Sequence, residues 1–152
     1  MASVILAVVV VAVTQAIMAG QMQCYDALHR RRGMFLAEAL MDEVLRLPYS
    51  DPDGASAPGP EAGETERSDY DNIDDFHGFA EVAGNVADAA GVTYGTAYQV
   101  FSCSVTVVAD SVTVTGLGDA LSGVTITVTA QDGAGTTWVV EHFYPEPTEV
   151  SE

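Results

Sequence analysis

Four aspartates lie close together near the middle of the chain, among aromatic side chains. Asp69, Asp71, Asp74 and Asp75 all fall within the segment 69–79 (DYDNIDDFHGF). Their spacing would allow several carboxylate oxygens to converge on one hard cation, and Ca²⁺ takes about six to eight oxygen ligands. The order of residues differs from that of an EF-hand loop, which needs Gly and a distal Glu at fixed positions. The alternative interpretation is a docked loop whose aromatic side chains point inward while its acids are solvated.

The residue types that carry catalysis or bind zinc are scattered along the chain. Three histidines fall separately in a predicted helix, a loop and a strand: His29, His77 and His142. No His-His or Cys-His spacing suggests a zinc site. Ser102 and Ser104 lie in a predicted strand, not on the tight turn that a nucleophilic serine needs. We therefore expect no enzymatic activity, no small-molecule substrate and no cofactor apart from the Ca²⁺ considered above.

The charge of the chain is strongly one-sided. The 152 residues have a formal net charge of −17, and the five basic residues are all arginines, none of them after Arg67. A surface of this sign repels phosphate backbones, so we expect no nucleic-acid partner. Cations or a salty medium are better matches. The length allows one modest domain beyond the N-terminal helix described below.

Cysteine usage leaves two alternatives open. The chain has two cysteines, Cys24 at the end of an apolar run and Cys103 in a predicted strand. They can form a disulfide if the domain is extracytoplasmic. The simpler alternative is a pair of buried free thiols.

The N-terminal third of the chain predicts one long helix over residues 1–47. Residues 1–25 carry no charge, and the apolar segment 2–19 (ASVILAVVVVAVTQAIMA) is just long enough to span a membrane. An apolar stripe at helical spacing then continues to the stop at Pro48: Met22, Tyr25, Leu28, Leu36, Leu40, Val44 and Leu47. A single helix of about 46 residues would be about 70 Å long.

The C-terminal half predicts an antiparallel sheet over residues 92–145. Residues 97–109 form a β-branched and aromatic run, and Val124, Ile126 and Val128 alternate with threonines. The turn 131–135 then joins this strand to a partner at 136–144. The predicted fold is α+β, a long N-terminal helix with a membrane-spanning half and an amphipathic half, packed on a small antiparallel sheet as a pilin-like roll.

The region between helix and sheet, residues 48–91, is predicted to be mainly loop. Residues 51–68 lack a bulky apolar anchor and are expected to be mobile, whereas 69–80 should be ordered by docking on the domain. Residues 81–91 could hold a short helix, and the acidic tail 146–152 should fray.

Several segments resemble those of one family. The opening MASVILAVVVV is similar to the run that follows a pilin leader, and the motifs AEALMDEVL at 37–45, LPYSDP at 47–52 and DYDNIDDFHGF at 69–79 also match. The hairpin at 120–144 matches more loosely. On these residues the chain resembles the type IV pilins and pseudopilins, and within them the minor pilins of the mannose-sensitive haemagglutinin pilus type.

The resemblance implies a structural subunit of a type IV pilus or a type II secretion-like filament. Such a subunit is held in the inner membrane as a single-pass protein with an extracytoplasmic domain. It then packs into a cell-surface or periplasmic filament with other pilin or pseudopilin subunits. Some pseudopilins bind calcium, which adds to the interpretation of the aspartates. Membrane insertion and assembly would rest on the apolar helix, and we single out Ala2, Val4, Ile5, Leu6, Ala7, Val9, Val13, Ile17 and Gly20.

The family's leader, with its basic residues, its cleavage glycine and the glutamate beyond it, does not occur in this sequence. Either it lies upstream of Met1, together with prepilin-type N-terminal methylation, or the chain is a leaderless, non-assembling variant of the family. A basic leader would also offset Arg30, Arg31 and Arg32, which by the positive-inside rule would otherwise keep the domain in the cytoplasm. Those arginines are either an interfacial anchor or partners for acids on neighbouring subunits.

Two other functions are consistent with the same sequence. The chain could be a membrane-tethered extracytoplasmic binding module whose acidic loop holds calcium. Alternatively, a secretory signal ending near Ala19 and Gly20 could be removed to leave a soluble protein.

Overall fold

The computed structural model describes residues 2–52, 54, 58–113 and 120–147. Helix α1 spans Ala2–Val44, and the four strands are β1 (Ala80–Glu81), β2 (Phe101–Thr113), β3 (Ala120–Asp132) and β4 (Thr137–Pro145). Three single-turn 3₁₀ helices lie at Arg67–Asp69, Asp74–Phe76 and Thr96–Tyr98. The strands form one antiparallel sheet in the order β1-β2-β3-β4. A long N-terminal helix with a four-stranded antiparallel sheet confirms the predicted α+β class.

The chain divides into two compact units, 1–32 and 33–152, and α1 contributes to both. The α-helix ends at Val44, three residues before the predicted boundary. Backbone hydrogen bonds from Arg46 N to Glu43 O (3.1 Å) and from Leu47 N to Val44 O (3.2 Å) then close a tighter final turn. Pro48 has no N–H with which to extend the helix, and its carbonyl instead accepts the N–H of Ile73 at 3.1 Å.

The core of the second unit lies between the last turns of α1 and one face of the sheet. Strand β2 alternates as predicted, because Phe101, Cys103, Val105 and Val107 are buried while the residues between them are not. On β3 the same face carries Ile126, Val128 and Ala130, with Val124 partly buried. The helix contributes Leu36, Ala37, Leu40, Met41 and Val44, and the connecting region contributes Ile73, Phe76 and Val86.

The β3–β4 connection is a hairpin with a loop longer than two residues, as predicted. The Asp132 carboxylate fixes it by accepting the backbone N–H groups of Ala134 (2.9 Å) and Thr136 (2.8 Å). Gly135 adopts φ +87°, a left-handed conformation that favours glycine. This hairpin brings Trp138 on β4 opposite Ala130 on β3.

Trp138 packs on α1 where the helix has no side chain. A Cβ atom at Gly33 would lie 2.4 Å from Cδ2 and Cε3 of Trp138, so the indole fills the space that a larger residue would occupy. The indole also makes an edge contact with Phe101, with ring centroids 5.6 Å apart. Trp138 therefore anchors the sheet to the helix, and the core of the second unit begins at Gly33.

The prediction of a short helix over 81–91 is wrong. Residues 82–91 contain two turns, at 83–84 and 89–90, and Ala87 forms an isolated antiparallel bridge with Thr93. Gly84 adopts φ +97° and Gly91 φ +74°. Between them the Asp88 carboxylate accepts the N–H groups of Ala90 (3.0 Å) and Val92 (2.9 Å), which competes with helical hydrogen bonding.

Candidate functional site

The first unit carries a continuous apolar surface on α1. The side chains from residue 5 to residue 28 are exposed, and Asp26 is the one charged residue among them. The large apolar side chains of this surface are 51–68% exposed: Ile5, Leu6, Val8, Val9, Val10, Val11, Val13, Ile17, Met18, Met22, Tyr25 and Leu28. They surround the helix instead of forming one stripe, and the polar side chains between them are few: Thr14, Gln15, Gln21, Gln23 and Asp26.

This surface contains most of the residues predicted to act in insertion or assembly. Ile5, Leu6, Val9, Val13 and Ile17 are exposed large apolar residues of α1, and Ala7 and Gly20 are exposed between them. Ala2 and Val4 are helical, but their side chains lie outside the described residues. Within the described residues, α1 is the one helix long and apolar enough to cross a membrane, with mean hydropathy 2.0 over an 18-residue window. A signal sequence would share these properties.

The four predicted calcium ligands take different roles in the second unit. Asp69 accepts the backbone N–H of Glu66 at 3.1 Å and closes a 3₁₀ turn. Asp71 and Asp74 are half-buried, and burial together with the charge of Asp75 raises the pKa of Asp74 above its ordinary value. Asp75 is fully buried, which differs from the alternative prediction of a docked loop whose acids are all solvated.

Asp75 is held by the backbone of its own segment. Its Oδ2 accepts the N–H groups of Asp71 (2.9 Å) and Asn72 (3.0 Å). The buried Asn72 returns the interaction, because its Oδ1 accepts the N–H of Asp74 at 2.7 Å. The second oxygen of Asp75, Oδ1, is shielded from solvent and has no hydrogen-bond partner. One half of this carboxylate is thus fixed while the other remains available to a ligand.

Two glutamates from the preceding segment converge on Asp75. Oxygen atoms of Glu61, Glu64 and Asp75 all lie within 4.8 Å of one another. The hydrogen bond with the Glu64 side chain, followed by burial and by repulsion from Glu64, Asp51 and Asp75, raises the pKa of Glu61 to about 7. The structure thus brings one of the four predicted aspartates into a carboxylate cluster with two glutamates that the sequence analysis did not select.

The segment 69–79 docks on the domain, as predicted. Ile73 and Phe76 are buried, and the ring of Phe76 makes edge contacts with Tyr70 (5.0 Å between centroids) and Phe79 (5.4 Å). Backbone hydrogen bonds from Gly78 N to Val105 O (3.1 Å) and from Val105 N to Phe79 O (2.9 Å) pair its end with β2. The aromatic side chains therefore fix the backbone from which Asp75 projects.

Arg67, in the segment expected to be mobile, has a structural role that its sequence neighbourhood does not indicate. Its Nε donates to Glu43 Oε1 at 2.7 Å and its second terminal nitrogen to Glu43 Oε2, while Nη1 donates to Glu81 Oε1 at 2.9 Å. The guanidinium lies 5.1 Å from the centre of the Phe79 ring. Residues 58–68 are thus held by specific contacts, whereas residues 53 and 55–57 of that loop lie outside the described residues.

This ion-pair network joins three parts of the second unit. Glu43 lies in the last turn of α1 and Glu81 in β1, and Nη1 of Arg67 also contacts the carbonyl of Ala87 at 3.3 Å. Burial lowers the pKa of Arg67, but the hydrogen bonds and charge of Glu43 and Glu81 raise it above its ordinary value. Burial raises the pKa of Glu81 despite the opposing attraction of Arg67. Arg67 therefore stays charged and connects helix, loop and sheet.

The other residues considered for chemistry are dispersed. Both cysteines are free, and Cys103 is buried as expected whereas Cys24 is exposed. Burial and the charge of Glu81 raise the pKa of Cys103 to about 11, so its thiol is a poor nucleophile at neutral pH. The Nδ1 atom of His77 lies 2.6 Å from the carbonyl oxygen of Val107 on β2, and His142 is exposed.

Comparison of the chain with protein-family models, with curated proteins and with solved structures finds no match. The resemblance to pilins therefore stays a prediction from the sequence. The features that indicate a function are the apolar surface of α1 and the charged clusters of the second unit.

Proposed function

We propose that this protein is a structural subunit, a minor pilin or pseudopilin, of a type IV pilus or type II secretion-like filament. Its N-terminal helix would be held in the inner membrane with the second unit extracytoplasmic. It would then pack against the helices of other pilin subunits in the filament. The single observation that carries the proposal is that α1 has two kinds of surface, an exposed apolar one at 5–28 and a buried one from Leu36 to Val44.

The energetics of the apolar surface support a non-aqueous environment. Each of its large side chains would gain roughly 1–2 kcal/mol on leaving water, because more than half of each is exposed. A dozen such residues on one helix form an apolar area far beyond what a monomer in water usually exposes. Lipid before assembly and neighbouring apolar helices after it would both satisfy this surface.

Small residues within the surface support helix–helix packing as well as insertion. Ala7 and Ala12 border a shallow apolar depression together with Val8, Val11 and Gln15. Gly20 has nothing within 4 Å of the position of a Cβ atom. Helices that associate in lipid use small residues of this kind to bring their backbones close together.

The first test places a charge on this surface. Val9→Asp should abolish both membrane fractionation and incorporation into filaments, because a carboxylate in hydrocarbon costs about 2.5–3.5 kcal/mol or more. The matched control is Val108→Asp, which charges a valine on β2 that is exposed to a similar extent, 56% against 51%. Wild-type fractionation and filament incorporation of the Val9→Asp chain would refute the proposal.

A second variant separates assembly from insertion. Ala12→Leu keeps the helix apolar but adds bulk where helices would approach closely, so the chain should enter the membrane and be reduced in filaments. Val10→Leu adds one methylene to an exposed valine of the same helix that does not line this depression, and it serves as the control. A chain that inserts but never enters filaments, with or without these changes, would instead indicate a membrane-tethered binding module. Mass spectrometry of the mature N-terminus would identify a cleaved signal.

A further inference from the structure

We propose that Glu61, Glu64 and Asp75 bind one divalent cation through their carboxylate oxygens, and that the cation is Ca²⁺. This site goes beyond filament assembly and does not depend on it, since every ligand belongs to the second unit. Among the described residues, these three form the group of His, Cys, Asp or Glu side chains whose ligand atoms converge.

The geometry suits an ion of this size. The three oxygen atoms lie within 4.8 Å of one another. Ca²⁺ binds oxygen at about 2.3–2.6 Å, so two oxygens on the same ion are at most about 5 Å apart. Carboxylates alone, without His or Cys, are the ligands that Ca²⁺ prefers over transition metals.

The burial of Asp75 is an independent indication of a ligand. Its side chain is 0% exposed, and Oδ1 makes no hydrogen bond in a position closed to solvent. Glu61 Oε1 is likewise closed to solvent and accepts no N–H or O–H of the described residues, apart from a proton that the Glu61 and Glu64 carboxyls would have to share. A buried carboxylate oxygen without a donor or a cation is costly, and a cation bound between these oxygens would remove the cost at both residues.

The backbone holds the carboxylates in place before any ion binds. Glu61 N donates to Glu64 Oε2 at 2.9 Å, and Glu64 N donates to Glu61 O at 3.1 Å, which closes a turn containing Gly63 at φ +131°. Gly59 N donates to Asp74 O at 3.0 Å and brings this turn beside the segment that carries Asp75. Because these contacts are already made, binding would order few additional groups.

The charge of the surroundings favours a cation. The groups that act electrostatically on Glu61 are Glu64, Asp51 and Asp75, all acidic. Three carboxylates at this separation repel one another unless a proton or a metal ion lies between them. A proton shared by Glu61 and Glu64 would neutralise one charge, whereas Ca²⁺ would neutralise two and also satisfy Asp75.

The test is Ca²⁺ binding to the full chain in detergent micelles, after removal of metal ions, at pH 7.5. We expect saturable binding by calorimetry and an increase in the melting temperature of about 10 °C at a CaCl₂ concentration 100 times the Kd. Glu61→Gln and Glu64→Gln should each weaken binding at least tenfold. Asp69→Asn, whose carboxylate is engaged with the Glu66 N–H, should bind within twofold of wild type. Asp75→Asn is expected to lose binding, and the two glutamate variants keep the test valid if it fails to fold.

Three outcomes would overturn the proposal. The first is the absence of saturable binding up to 5 mM CaCl₂, a concentration above the Kd of about 10⁻³ M of the weakest extracellular calcium modules. The second is an equal increase in melting temperature with KCl of matched ionic strength, which would indicate screening of the acidic surface. The third is a melting temperature that CaCl₂ does not change and that Glu61→Gln increases, which would indicate that Glu61 and Glu64 share a proton. None of these bears on filament incorporation, so the two proposals fail separately.

Discussion

Replacing Arg67 by alanine removes the cation that lies between Glu43 and Glu81. The three side chains are 15%, 17% and 14% exposed, so water reaches them poorly. Removing one partner of a buried ion pair costs about 3–5 kcal/mol, because the remaining charge stays desolvated. The Phe79 contact adds roughly 0.5–1 kcal/mol. A cavity of about 220 Å³ beside the network is large enough to hold water, which would reduce the penalty, so we expect a loss of about 3–4 kcal/mol.

A loss of this size is a large fraction of the roughly 5–15 kcal/mol by which a domain is stable. It should lower the melting temperature by about 10–20 °C for a domain of this length. Thermal unfolding followed by the fluorescence of the single tryptophan, Trp138, reports on the second unit directly. Arg46→Ala is the matched control, since it removes the same charge from an exposed arginine of the same region and should cost less than about 1 kcal/mol.

The physical reason for the lower stability of Arg67→Ala can be tested separately from the size of the loss. If stranded carboxylates cause it, Glu81→Gln introduced into the Arg67→Ala chain should recover part of the stability. Lowering the pH from 7 to 5 should also reduce the deficit, because a raised carboxyl pKa means that the folded variant takes up protons before the unfolded chain does. An Arg67→Ala chain no less stable than Arg46→Ala, or one that neither change improves, would refute the reasoning.

Two further predictions concern the packing of Trp138 and the chemistry of the thiols. Gly33→Ala places a Cβ atom 2.4 Å from Trp138 and should cost about 1–3 kcal/mol of unfolding free energy, whereas Gly20→Ala in the same helix, with nothing within 4 Å, should cost none. In native protein at pH 8, iodoacetamide should modify Cys24 and leave Cys103 unmodified, as mass spectrometry would show, because the Cys103 pKa is about 11. Since that pKa exceeds the value of an unfolded cysteine, the contribution of Cys103 to stability should be lost as pH rises from about 9 to 11. Equal modification of both thiols before unfolding would contradict this.

Much of the fold could be predicted because its periodic elements have consistent patterns. The helical spacing of apolar residues correctly predicts the buried side of α1 from Leu36 to Val44. The alternation of valine and threonine likewise predicts the buried face of β3. Strand β1 has two residues, too few for any period, and it exists because Ala80 and Glu81 pair with Ser104 and Cys103 on β2. Pairing of this kind depends on tertiary contacts that a local pattern does not contain.

The charged clusters were harder to predict because they join residues far apart in the sequence. Arg67 meets Glu43 across 24 residues and Glu81 across 14. The segment 58–68 looked unanchored because it has no bulky apolar residue, yet an arginine between two acids holds it. The spacing of carboxylates gives Asp75 the same weight as its neighbours, whereas its burial is made tolerable by two backbone N–H groups that donate to Oδ2. Spacing alone does not distinguish the inward acid from the outward ones.

The boundary between the two units coincides with a change in the environment that the exposed side chains of α1 favour, from an apolar one to water. Up to Leu28 the exposed surface of α1 is mostly apolar, with Asp26 as its one charged residue, and Arg30, Arg31 and Arg32 follow closely. The boundary between the units falls directly after these arginines, and the next residue, Gly33, is the first to pack in the core. A helix used only to support the sheet would not need an apolar surface before that boundary, and a simple membrane anchor would not need to supply the core beyond it. One element that meets both demands is what the proposed filament subunit would require, because it would have to leave lipid and enter a filament without losing its folded domain.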